Sequence, residues 1–101
     1  MTETDRARLD ATVIGRVHGV GFRYFILRLA LDLDLVGWVA NEYDGSVRCV
    51  AEGTTGDLER LAAALELGPP GALVERVITA WGPAVGGLGP FTIASGAHRG
   101  D

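Results

Sequence analysis

The sequence predicts an α+β fold in two layers: an antiparallel sheet with two helices on one face, in the order β-α-β-β-α-β. Three observations support this. Residues 22–33 and 54–68 each repeat apolar residues at helical spacing on one side only. Asp44-Gly45 sits between two short strand-like runs, one of the stronger local hairpin signals. Strand-like runs flank both helices, so each helix has a sheet on which to bury its single apolar stripe.

Taken in order, "ARLDATVIGRV" (7–17) alternates and carries β-branched residues, a strand ending near Arg16, with residues 1–7 expected as a loose N-terminal segment. In "FRYFILRLALDL" (22–33), Phe22, Ile26, Leu29, Ala30 and Leu33 share a helical face, with Arg28 and Asp32 elsewhere. "VGWVANEYDGSVRCVAEG" (36–53) supplies the second and third strands around the Asp44-Gly45 turn. "TTGDLERLAAALELG" (54–68) opens on Thr with Asp57 close behind, repeats Leu58, Leu61, Ala62 and Leu65, and stops at Gly68-Pro69-Pro70. "LVERVITAW" (73–81) sets Val74, Arg76 and Ile78 against Leu73, Glu75 and Val77, a fourth strand with Glu75 and Arg76 as solvent-side charges. Gly-rich residues 82–90 read as a loop, and "FTIAS" (91–95) as a short fifth strand. No repeat or dividing linker appears, so residues 1–101 read as one domain. The element order is that of the ferredoxin-like sandwich, which hosts many functions and settles none.

Composition narrows the chemistry. The 101 residues are 48% hydrophobic, enough for one core and not a disordered chain. A net charge of -4 argues against nucleic-acid binding, which needs a basic face. All nine cationic residues are Arg, which removes Schiff-base lysines and the Lys of a Walker loop. One cysteine, Cys49, excludes an internal disulfide framework and a Cys-rich zinc site. His18 and His98 are far apart, and no His/Asp/Glu cluster has metal-ligand spacing, so no metal and no cofactor are expected. With no apolar signal core and no membrane-length apolar run, a soluble monomer in the cytoplasm is expected, with no membrane partner.

The chemistry-bearing stretch is "GRVHGVGFRYF", Gly15 to Phe25. Its glycines permit a tight turn in which amide N–H groups converge, and a helix starting at Phe22 adds its own unpaired N–H groups and positive end. Arg23 in the first turn is unfavourable against that dipole by a few tenths (roughly 0.3 kcal/mol or more). A dianion between them reverses the sign, and the guanidinium fork suits two oxygens of a tetrahedral oxyanion. Residues Arg16, Val17, His18, Gly19, Val20, Gly21 and Phe22 therefore form a candidate phosphate cradle, with a tight turn bearing a surface arginine as the plain alternative. Asn41, where the apolar run of "GWVAN" ends, can hold a water, or can simply open the hairpin turn.

"GRVHGVGFRYF", "GWVANEYDGSV", "AEG" and "GPPGALVERV" together resemble the acylphosphatase family in order and spacing, from about Val13 to Val77. The resemblance implies a small ferredoxin-like enzyme that hydrolyses acyl phosphates to a carboxylate and inorganic phosphate. It implies that the loop backbone and Arg23 bind the phosphate, that Asn41 positions the attacking water, and that phosphate is both product and competitive inhibitor. The chain departs from the family where His18 replaces the common Gln. That position works either through its backbone N–H or by tuning the pH profile. Past Gly82, only "FTI" is similar to the family's closing strand.

An acyl phosphate expels a carboxylate, stable as an anion, so no strong acid is needed. Ser46 is expected in the hairpin, Ser95 near the tail and Cys49 on the third strand, packed as a small apolar residue, so the sequence offers no nucleophile at the site. Trp38, Trp81, Tyr24 and Tyr43 are too scattered for base stacking, and the tryptophans are expected to pack on the sheet or core. Tyr24 is expected on the helix surface, and Asp32, Asp34, Glu52 and Glu66 are expected as solvated charges. Rival readings are a non-catalytic module that binds phosphate or an acyl phosphate, a detached domain of a carbamoyl-transfer enzyme, and an RNA-binding domain, the last disfavoured by charge.

Overall fold

A computed structural model describes residues 5–94 of the chain. The elements are β1 (Arg6–Arg16), α1 (Phe22–Asp32), β2 (Val36–Asn41), β3 (Val47–Thr54), α2 (Thr55–Leu67), β4 (Leu73–Pro83) and β5 (Thr92–Ile93). The sheet runs β4-β1-β3-β2-β5, with β1 antiparallel to both β3 and β4 and β3 antiparallel to β2. This is the ferredoxin-like sandwich with a fifth strand. That strand makes the sheet mixed rather than wholly antiparallel, because β5 pairs parallel with β2 through Trp38–Thr92 and Val39–Ile93.

Alternation determines which residues enter the core. Leu9, Ala11 and Val13 of β1, Val39 of β2 and Val47, Cys49 and Ala51 of β3 are all buried toward the helices. Phe22, Ile26 and Ala30 of α1 and Leu58, Leu61 and Leu65 of α2 close over them. Leu29, Leu33 and Ala62, expected on the same faces, are half-buried against that cluster. Helix α1 lies on β2 and β5, and α2 on β1, β3 and β4. The Thr54 hydroxyl caps α2 by accepting from the Asp57 amide at 3.2 Å.

Several boundaries and environments differ from the sequence expectations. Residues 6 and 7, expected in the loose segment, belong to β1, since Arg6 pairs with Thr54 and Ala7 with both Gly53 and Pro83. Residues 82 and 83, expected in the loop, continue β4 for the same reason. Strict alternation along β4 breaks at a bulge. Ile14 pairs with Arg76 but Gly15 with Val74, so Glu75 is extra and Val74 and Val77, three apart, both turn to the core. Residues 84–91 cross the face of the sheet opposite the helices, tying β4 to the far edge. Glu52, expected as a solvated charge, is 2% exposed there because this crossing covers it. Its carboxylate accepts from the amides of Val85 and Gly86 at 3.0 Å each and pairs with Arg8 at 3.0 Å. Trp38 packs on the sheet, with the Arg48 guanidinium 5.8 Å from its ring centroid, and Trp81 is partly exposed on the edge strand. Ser95 and His98 lie outside the described residues.

Candidate active site

The cradle begins where β1 leaves the sheet. A Cβ on Gly15 would stand 2.1 Å from the carbonyl oxygen of Leu73, and its φ is +144°. Only glycine lets the loop leave this close to β4. Val17 and Phe22 are then buried at either end, so their side chains anchor the loop and only their backbone is available to a ligand. Between them Gly19 and Gly21 adopt φ of +74° and +77°, while Val20 and Phe22 have ordinary negative φ. Such alternation of hand turns successive N–H groups toward one side, an anion-binding nest. Gly21 is the N-cap of α1 and has no side chain to satisfy the helix's first amides. The first amide to find a backbone acceptor is that of Phe25, bonded to the Gly21 oxygen at 3.0 Å.

Arg23 is the second residue of α1 and is half-buried. Among the described residues its guanidinium makes no hydrogen bond or ion pair. Arg48 and Arg8, by contrast, are committed to Asp10 and Glu52. Arg16, the last residue of β1, is exposed and pairs through its backbone with Leu73. Tyr24 is exposed on the helix surface, as expected.

Asn41 ends β2. It pairs with Val47, which in turn stands opposite Val13, three residues before Arg16. The row therefore places Asn41 at the loop end of the sheet, two strands across from β1 and roughly 10 Å from Val13 at ordinary strand spacing. Alternation puts its side chain on the helix face with Val39, the face from which α1 rises. The loop, the start of α1 and Asn41 thus share one end of the molecule.

A side chain of the loop reaches across to the hairpin that follows Asn41. His18 Nε2 lies 2.9 Å from the carbonyl oxygen of Ser46, in the β2–β3 hairpin. The contact spans 28 positions in sequence and leaves no local signature, which is why pattern reading missed it. The hairpin itself is braced by Asp44, whose Oδ1 accepts from the Ser46 amide at 2.9 Å and the Ser46 hydroxyl at 2.6 Å. These bonds, the hydroxyl first, hold the Asp44 carboxyl below its usual range. The signal for this brace was visible as Asp-x-Ser after a strand.

Electrostatics separates the cradle from its surroundings. A concavity of about 420 Å³ on the open face of the sheet is lined by Asp10, Glu42 and Asp44, and its one cation, Arg48, is already paired with Asp10. That surface repels a dianion. Cys49 is buried beneath the helices, and desolvation pushes its thiol up to about 12, so it packs as a small apolar residue. Among the described residues, no group of three or more His, Cys, Asp or Glu side chains could hold a metal, and no helix is long and apolar enough to cross a membrane.

The fold defines a class: a ferredoxin-like sandwich whose first strand-to-helix turn carries Gly19 and Gly21 at positive φ ahead of an N-terminus with no side-chain cap. Comparison with known proteins gives the family. The sequence profile for acylphosphatase matches residues 9–93. The chain is 49% identical to an acylphosphatase of Salinibacter ruber over 85% of its own length and 90% of that protein's. It superposes on the crystal structure of acylphosphatase from Bacillus subtilis with a TM-score of 0.83 at 35% identity, covering 87% of this chain and 98% of that one. An acylphosphatase structure from Coxiella burnetii gives 0.84 at 33%, covering 93% and 100%. The chain belongs to the acylphosphatase family.

Proposed function

We propose that this protein hydrolyses acyl phosphates, with Arg23 and the amides of residues 16–22 holding the phosphoryl group and Asn41 orienting the attacking water. The observation that carries this is the guanidinium of Arg23 at the start of α1, unpaired among the described residues, beside a loop of alternating backbone hand. A cation left unpaired against a helix's positive end is favourable only with an anion between them.

The chemistry asks little of the protein. Water adds to phosphorus in line with the departing carboxylate oxygen, and the P–O bond to the acyl group breaks. The carboxylate carries away the bonding electrons, and the water's proton passes to an oxygen of the phosphate itself. Charge on the equatorial oxygens is met by the guanidinium and loop amides, and the water is pre-aimed by the Asn41 amide, so positioning and charge stabilisation supply the rate. No step calls on a protein nucleophile or a metal.

Nothing in the cradle contacts a particular acyl group, so the carboxylic half of the substrate is loosely selected. Inorganic phosphate, as the product that fits the cradle, competes with substrate. A monomer in a reducing cytosolic setting belongs to the same proposal, resting on the acidic composition and the single buried cysteine. Phosphate release from benzoyl phosphate, measured in the presence of EDTA, tests the function. Turnover supports hydrolysis, whereas binding without turnover would make the chain a phosphate-binding module.

A further inference from the structure

We propose that His18 is a positioning residue, fastening the cradle loop to the β2–β3 hairpin and so setting the angle between the bound phosphoryl group and the water on Asn41. The proposal rests on the function above. The reacting groups are held by two separate bodies: loop and α1 carry the phosphate donors, whereas Asn41 belongs to β2. The bond from His18 Nε2 to the Ser46 carbonyl, 2.9 Å, is a side-chain hydrogen bond that ties one body to the other. A carbonyl only accepts, so Nε2 carries the proton and donates.

The receiving carbonyl is a fixed point. It also accepts from the amide of Glu42, the residue after Asn41, at 2.9 Å. Ser46 is held in turn by its two bonds to Asp44. On the loop side His18 lies between Val17, buried in the core, and Gly19, where the backbone turns left-handed. The imidazole therefore braces the loop where its anchored part gives way to the glycine turn. Loss of the brace leaves the phosphate donors arranged around one another as before and lets them shift, as a group, relative to Asn41. The chemical step suffers, and phosphate binding does not.

The test compares wild type, His18→Ala and His18→Gln in the full chain, reading kcat for benzoyl phosphate and the inhibition constant for inorganic phosphate. For His18→Ala, kcat falls about tenfold, the scale of a modest misalignment of reacting atoms. Its phosphate inhibition constant stays within about twofold of wild type, since Arg23 and the amides remain. His18→Gln, which keeps an N–H donor of similar reach, recovers most of the loss. Three results would each overturn the proposal: wild-type kcat in His18→Ala, kcat and phosphate inhibition worsening together, or a Gln variant as slow as the Ala variant. Failure of the wild type itself to release phosphate would instead refute the parent function.

Discussion

Arg8 Nη1 lies 3.0 Å from Glu52 Oε2 on the sheet face opposite the helices, and this carboxylate is the pin on which the crossing segment 84–91 hangs. The Val85 amide, then Arg8 and the Gly86 amide, hold the Glu52 carboxyl below its usual range against the opposing effect of burial. A carboxyl with a depressed folded value stabilises the fold fully above its unfolded value of about 4.3, and that stabilisation is lost as pH falls through the lower folded value. Glu52→Gln is therefore expected to lower the thermal midpoint at pH 7 by about 5–10 °C, as for loss of a charged, buried hydrogen-bond acceptor. The gap between variant and wild type closes as pH drops below 4. Melting curves between pH 3 and 7 check both statements, and a pH-independent gap would remove the pin.

Gly15, in β1 just before the cradle, is packed tightly against β4. Gly15→Ala pushes a methyl into the Leu73 carbonyl and forces a left-handed φ on alanine, so β1 and β4 must part at the bulge. The variant is expected to lose more than about 3 kcal/mol, the range of severe strain and overpacking effects. Urea unfolding measures it, and near wild-type stability would mean the strands part freely here.

Asn41→Ala removes the side chain proposed to hold the water and leaves the phosphate donors untouched. The expected loss in kcat is on the order of 10²–10³, with phosphate inhibition little changed. Steady-state kinetics on benzoyl phosphate separate the two constants, and wild-type turnover would return Asn41 to the role of a turn residue.

Arg23→Lys retains a charge and loses the fork. Both turnover and phosphate inhibition are expected to weaken by at least about tenfold, because a single ammonium cannot match two oxygens at once. Inhibition titrations against phosphate show whether the loss lies in binding, and full activity would take Arg23 out of the cradle.

The two amphipathic helices, the hairpin and the glycine turn ahead of α1 were legible in sequence because each depends on local spacing: a 3.6-residue stripe, an Asp-Gly pair, glycines ahead of a helix. Thr54 and Asp57 likewise announced the α2 cap. What was not legible depends on partners distant in sequence. Glu52 looks like any surface acid until residues 84–91 fold back over it, and His18 looks like a loop residue until the hairpin brings Ser46 within 2.9 Å. The bulge at Glu75 was hidden for a related reason, since a single extra residue in a ladder is defined only by the partner strand. The parallel seat of β5 follows from the same crossing, which delivers only two residues to the edge of β2.

Hydrolysis of benzoyl phosphate in ¹⁸O-labelled water reports directly on which atom the attacking water meets. Attack at phosphorus places the label in inorganic phosphate, with benzoate unlabelled. Label in benzoate would show attack at the carbonyl carbon and would contradict a site built to present water to a cradled phosphoryl group.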